Sequence, residues 1–168
     1  MDTPRLPLLT VFGLGRLRPA PGTWGSLPPV VLAGVLMAAG IVPGSGVFEA
    51  VMIAVMLFFS AACVAQGDLA ESVFGKKDHG NIVADETAGQ CVTLIFLSFL
   101  PAAALATPLA AAFTLWLCFI AFRAMDIVKP WPADSTQKFP AGWGVLVDDL
   151  FAGFYGFLIV LGASLIVL

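Results

Sequence analysis

Two acidic doublets open apolar runs: Asp85-Glu86, followed by Thr87-Ala88-Gly89, and Asp148-Asp149, followed by Leu150-Phe151-Ala152-Gly153. In each, Ala-Gly falls three and four residues after an acid, which on a helix is the same face. Small residues let membrane helices approach closely. Packing of two such faces would bring Asp85 and Asp149 to one depth. Four carboxylates gathered there repel unless a cation lies between them, and hard oxygen donors suit Mg²⁺ or Mn²⁺. Capping of helix N-termini accounts for one acid per helix, but not for a doublet twice.

The segment Phe122 to Pro132 holds the complementary charges. Arg123, Asp126 and Lys129 recur every third residue, so neighbours in the set share a helix face. Arg123 and Lys129 are natural binders of a phosphate, and Asp126 could join the carboxylates. The plainer alternative is an Arg123–Asp126 pair that neutralises itself, with Lys129 snorkelling to the interface. Pro21-Gly22-Thr23-Trp24-Gly25-Ser26 combines glycines and hydroxyls before an apolar run. It could cradle phosphate through Thr23 and Ser26 at a helix start, although the same residues serve as turns and caps. The single histidine, His79 in Asp78-His79-Gly80-Asn81, is either a proton shuttle or a solvated loop residue. Asp68 and Glu71 share a face and could be solvated or add outer contacts. Glu49 stands alone and receives no role.

Several phosphate chemistries lack their residues. Cys63, Cys91 and Cys118 lie in apolar runs without CxxC spacing and read as buried, inert thiols. Cys118 and Arg123 are too close for a cysteine-phosphatase loop, and one histidine cannot run a phosphohistidine route. There is no Asp-x-Asp pair, Walker loop or dinucleotide fingerprint. Metal-assisted attack by water remains.

The elements that carry these residues must lie in a membrane. Of 168 residues, 60% are hydrophobic and 11% charged, with a mean hydropathy of +0.98. Soluble domains carry roughly 45–50% apolar and about 25% charged residues. The composition predicts an all-α integral membrane protein, a single domain over residues 1–168. Its five apolar runs are Leu27 to Val42, opened by Pro28-Pro29, then Val47 to Ala65, Thr87 to Leu100, Leu109 to Val128 and Val145 to Leu168. Five spans put all eight basic residues and ten of the eleven acids on one side, with Trp24, Trp131 and Trp143 at the same level. Basic excess marks the cytoplasmic side. A net charge of -3 leaves no basic footprint for nucleic acid. Pro4 and Pro7 interrupt the N-terminal apolar stretch, so no removable signal peptide is expected.

With these pieces in place, the chain resembles the phosphatidylglycerophosphatase A family of membrane lipid phosphatases. The matching pieces are Gly22 to Ser26, Asn81-Ile82-Val83-Ala84-Asp85-Glu86, and Phe122-Arg123 through Asp126 to Lys129-Pro130-Trp131-Pro132. The last is Gly142-Trp143-Gly144-Val145 running into Val147-Asp148-Asp149 and Ala152-Gly153. The resemblance implies Mg²⁺-dependent removal of the terminal phosphate of phosphatidylglycerophosphate at the bacterial cytoplasmic membrane, with the site facing the cytoplasm. Asp85, Glu86, Asp148 and Asp149 would hold one or two Mg²⁺ ions, with Asp126 a further ligand or the base. Arg123 and Lys129 would bind the phosphate, with Thr23 and Ser26 contacting its oxygens. The alternatives are a divalent-cation transporter using the same acids, a non-catalytic membrane subunit, and a phosphatase for another lipid phosphate. Transporter sites lie near the midplane, whereas these acids fall at one interface. The small-residue face from Ala152 to Gly156 suits packing within one chain or between two copies.

Overall fold

Proline and glycine cut the chain into helices. A computed structural model describes residues 6–76, 79–131 and 141–167, in which every regular element is a helix, with no strand among them. Among the described residues five α-helices follow in order: α1 Pro21–Ala38, α2 Val47–Phe74, α3 Ala84–Ile95, α4 Pro108–Val128 and α5 Ala141–Val167. A 3-10 segment, Val11–Arg16, precedes α1, and two more, Phe96–Phe99 and Ala102–Leu105, join α3 to α4.

Helix α1 corrects the expected start at Pro28-Pro29. It begins at Pro21, where a proline loses nothing at the first helical position, and both later prolines lie inside it. Pro29 has no N–H to bond the Gly25 carbonyl one turn back. Thr87 Oγ1, from α3, donates to that carbonyl at 2.7 Å, and its own second acceptor is Val83 O at 3.0 Å. The carbonyl orphaned by Pro29 is thus satisfied by a neighbouring helix.

Helix α2 starts after the Pro43–Gly46 turn, and Glu49 does have a task. Its carboxylate oxygens accept the Gly44 and Gly46 N–H groups at 2.6 and 2.9 Å, closing that turn. The helix runs 28 residues, past the expected end at Ala65. At 1.5 Å per residue it is about 42 Å long, more than the ~30 Å of bilayer hydrocarbon. Asp68 and Glu71 are accordingly exposed on its last turns, which end at Gly75 in a left-handed conformation. Helix α4 is capped by Thr107, whose Oγ1 accepts the Ala110 N–H at 3.1 Å, and stops at Lys129, φ 46°, just before Pro130.

Helix α3 departs furthest from expectation. It begins at Ala84, before Thr87, and its α-helical part ends at Ile95, with 3-10 turns covering the remainder. Twelve residues cannot cross a bilayer as α-helix. The reason is position: α3 packs against α1, α2, α4 and α5 together. Thr87, Gln90, Cys91 and Thr93 are wholly buried within it. A helix enclosed by protein need not match lipid, so its sequence carries hydroxyls, an amide and glycine.

By length and composition, α2, α4 and α5 are each able to cross a membrane. They show outward apolar side chains, among them Leu57, Phe58, Phe113, Ile120 and Leu158. Contiguous apolar surface of this kind marks contact with lipid or a partner. The three cysteines are buried and unbridged, as expected.

Candidate active site

The two Ala-Gly faces meet. A Cβ placed on Gly89 would lie 2.5 Å from the Asp149 carbonyl oxygen, and one on Gly153 would overlap the Gly89 carbonyl. Only glycine permits backbones this close. Thr93 Oγ1 locks the same contact by donating to Gly153 O at 2.9 Å. The N-terminal half of α3 is thereby held against the N-terminal half of α5, and Asp85, Glu86 and Asp149 each turn a carboxylate oxygen into one spot, all within 4.8 Å of one another. Asp126, from the last turn of α4, abuts Asp149.

Asp85 and Asp149 are 4% and 2% exposed, and carboxylates are almost never so buried unless paired or bound to a metal. Loss of hydration, with the charges of Asp149 and Asp126, pushes the Glu86 carboxyl up to about 8, against the lowering effect of a hydrogen bond with Asp85 and of Arg123 nearby. These groups resist carrying their charges together without added positive charge. Glu86 Oε2 and Asp149 Oδ2 are buried with no hydrogen-bond partner among the described residues. Orphaned carboxylate oxygens in a tight group are the donors a hard divalent cation takes, so the residues fit one.

Arg123 is the cation beside the acids. One of its terminal nitrogens lies 2.6 Å from Asp126 Oδ2, 3.9 Å from Glu86 Oε1 and 3.4 Å from Ser26 Oγ. Gly22 makes room for it: a Cβ there would lie 2.8 Å from the guanidinium and collide with Glu86. The chain therefore joins α1, α3, α4 and α5 through charged or hydroxyl side chains at one end of the bundle.

Residues 8–164 match the phosphatidylglycerophosphatase A family. The chain belongs to that family of phosphatases. It is 32% identical over 154 residues to a phosphatidylglycerophosphatase A of Haemophilus influenzae, covering 89% of this chain and 82% of the relative. A phosphatidylglycerophosphatase A of Escherichia coli is 28% identical, over 91% of this chain and 79% of its own. A Bacteroides thetaiotaomicron protein, named provisionally as a phosphatidylinositol-3-phosphatase, is 34% identical over 92% of this chain and 91% of its own. No solved structure matches the chain.

The remaining residues singled out from the phosphatidylglycerophosphatase A resemblance divide by geometry. Asp148 is 2% exposed but turns away from the triad, and its Oδ2 accepts Lys129 Nζ at 2.5 Å. Burial acts to lower the Lys129 pKa, but the Asp148 hydrogen bond and the charges of Asp148, Asp149 and Asp126 outweigh it and hold the ammonium above its usual value. Ser26 is fully buried, and its hydroxyl donates to Gly22 O at 2.7 Å while accepting from Arg123. It supports the guanidinium in this structure. Thr23 is half-buried in the first turn of α1. The Pro21–Ser26 segment is thus helix rather than the loop that a cradle before the span implied.

His79 stacks on Phe74, centroids 4.5 Å apart, and its Nδ1 accepts the Asn81 N–H at 3.2 Å. Its neighbour Asp78 and the motif residue Pro132 lie outside the described residues.

Sequence reasoning missed Thr87, Thr93 and Gln90. Their signal was present: polar side chains at spacings of three in an apolar run mark a protein-facing stripe. Gln90 is fully buried one turn beyond Glu86, with both amide atoms lacking partners among the described residues.

Proposed function

We propose that this chain hydrolyses the terminal phosphate of phosphatidylglycerophosphate, with Mg²⁺, at the cytoplasmic surface of a bacterial inner membrane. The observation that carries the reading is the buried group of Asp85, Glu86 and Asp149 with Arg123 beside it, in a chain of this family. The domain is one membrane-embedded unit of five helices, residues 1–168, with α1 and α3 completing the bundle formed by α2, α4 and α5. Charge asymmetry supports the orientation, because five spans put all eight basic residues of the sequence on the side that holds the acids.

Asp85, Glu86 and Asp149 would hold the ion, with Asp148 and Asp126 at its margin. When bound, Mg²⁺ supplies positive charge to phosphoryl oxygens and acidifies water. Arg123 and Lys129 are the chain's own phosphate binders. Each is paired with a carboxylate now, Arg123 with Asp126 and Lys129 with Asp148. A phosphate monoester would compete for both cations, and a released Asp126 would be free to orient the attacking water and take its proton. The water oxygen forms a new bond to phosphorus as the bond to the glycerol oxygen breaks, and the proton taken up by Asp126 passes to the departing oxygen. Arg123 and Lys129 stabilise the charge that spreads over the phosphoryl oxygens. Thr23, at the rim, contacts one of them, and Ser26 reaches another once Arg123 shifts.

A second lipid phosphate is favoured by one observation, the 34% identity to a relative named for phosphatidylinositol-3-phosphate. The test separates the two. Purified protein in detergent is given each lipid with Mg²⁺, then with EDTA. Release from phosphatidylglycerophosphate that EDTA stops and Mg²⁺ restores is expected. Faster release from the phosphoinositide would change the substrate, and release indifferent to EDTA would remove the metal. Silence on both lipids from folded protein would sink the reading.

A further inference from the structure

The loop entering α1 has two unlike sides. Leu6, Leu9 and Val11 are 5%, 1% and 4% exposed. The Leu9 carbonyl accepts the Val83 and Ala84 N–H groups at 2.8 and 3.2 Å, closing the start of α3 directly before Asp85. Gly15 lies so close to Asn81 that a Cβ would overlap its carbonyl, and Arg18 donates to Asn81 Oδ1 at 2.9 Å. The inner side of the loop is therefore fastened to the acid-bearing helix.

The outer side is apolar and exposed. Phe12 is 73% exposed, with Leu17 at 42% and Trp24 at 38%. Val11 and Phe12 both hold left-handed backbone, φ 44° and 54°, followed by Gly13 at φ 105°. Branched and aromatic residues avoid this region, and where they occupy it the surroundings must offset the strain. The arrangement turns Val11 inward and Phe12 outward. A fold needing only a turn here would be better served by Asn or Gly at position 12. From Leu6 to Phe48 there is no acidic residue, while Arg16 and Arg18 follow Phe12 closely. Next to the loop, Leu14, Trp24, Leu27, Pro28 and Val31 line an apolar groove running down α1. Aromatic side chains favour the membrane interface, and basic ones favour anionic headgroups.

We propose that the loop from Val11 to Arg18 is a foot on the anionic phospholipid surface. Phe12 inserts beneath the headgroups, Leu17 and Trp24 lie beside it, and Arg16 meets lipid phosphates. Through Leu9, Gly15 and Arg18 the foot fixes the depth of Asp85 and Glu86 relative to the lipid phosphate layer. This rests on the reading of the bundle as membrane-embedded, and the test separates the two.

Position 12 and, in a second variant, Ile120 on the outer face of α4 are changed to cysteine and labelled with a fluorophore. The native thiols are buried. Each protein is placed in phosphatidylcholine vesicles with and without phosphatidylglycerol. Quenching of the position 12 label by nitroxide lipids and shielding from iodide, deepest with phosphatidylglycerol, is the expected result. Iodide quenching at position 12 with lipid quenching at position 120 would overturn the foot alone. Iodide quenching at both would overturn the membrane reading with it. Asparagine tolerates left-handed backbone, so Phe12→Asn should keep or raise the melting temperature. It should nevertheless raise KM for vesicle-borne lipid about tenfold, as loss of a buried aromatic implies, with kcat unchanged and Phe12→Trp restoring KM. An unaltered KM in Phe12→Asn would overturn the proposal.

Discussion

The two acidic doublets look alike in sequence and behave differently in the fold. Asp85 and Glu86 both turn toward Asp149, whereas Asp149 joins them and Asp148 leaves for Lys129. Consecutive helix residues point about 100° apart, so a doublet reaches one spot only if a side chain is long enough to bend back. Glu86 has the extra methylene; Asp148 does not. A doublet is therefore two different devices: on α3 a pair of converging oxygens, on α5 one converging oxygen and one anchor for the cation that ends α4.

The sharpest way to break this contrast is at its centre. Asp149→Asn or Asp85→Asn should lower phosphate release by on the order of a thousandfold, the scale of losing a group that acts on the transition state. The double variant should fall little further, because residues acting as a unit are not additive. Rates near wild type in Asp149→Asn would remove it from the site.

Next in size is the contact that brings the doublets together. Gly89→Ala places a methyl 2.5 Å from a backbone carbonyl, so α3 and α5 must part. A loss of about 1–3 kcal/mol in stability is expected, read as a lower melting temperature in detergent, with activity falling more than the folded fraction. Gly162→Ala, where nothing lies within 4 Å, is the control and should do neither.

The Lys129–Asp148 pair separates the doublets more finely. Removing one partner strands a buried charge, so Lys129→Ala should destabilise more than Lys129→Ala with Asp148→Ala. Additive losses would show that the pair is not coupled. The smallest effect is reserved for Asp148→Asn, which keeps shape and one hydrogen bond. Its turnover should drop by about 10–100-fold, the range of a group acting behind the ligands; a loss equal to that of Asp149→Asn would make the doublets equivalent after all.

Much of this arrangement was legible beforehand. Hydropathy identified α2, α4 and the body of α5 because these helices face an apolar exterior, and each such position is chosen independently of its neighbours. The Ala-Gly spacing foretold the meeting of α3 and α5, since backbone approach depends on local residue size. Periodicity of three put Arg123 and Asp126 on one face but left their pairing as the plainer alternative; the structure shows that pair. Apolar runs of helix length pointed to helices rather than strands, and no strand occurs among the described residues.

Other features depended on contacts between distant segments. The prolines of α1 could remain inside a helix only because Thr87, 62 residues away from Gly25, reaches the orphaned carbonyl. Helix α3 could be short and polar only because four other helices enclose it. The choice between Arg123 as a lone phosphate binder and as a member of a network turned on Gly22, Ser26 and Glu86 arriving from other helices. Sequence fixes which groups a segment offers and its preferred period. The tertiary structure decides which of them meet, because desolvation and charge pairing are properties of the assembled site and belong to no segment alone.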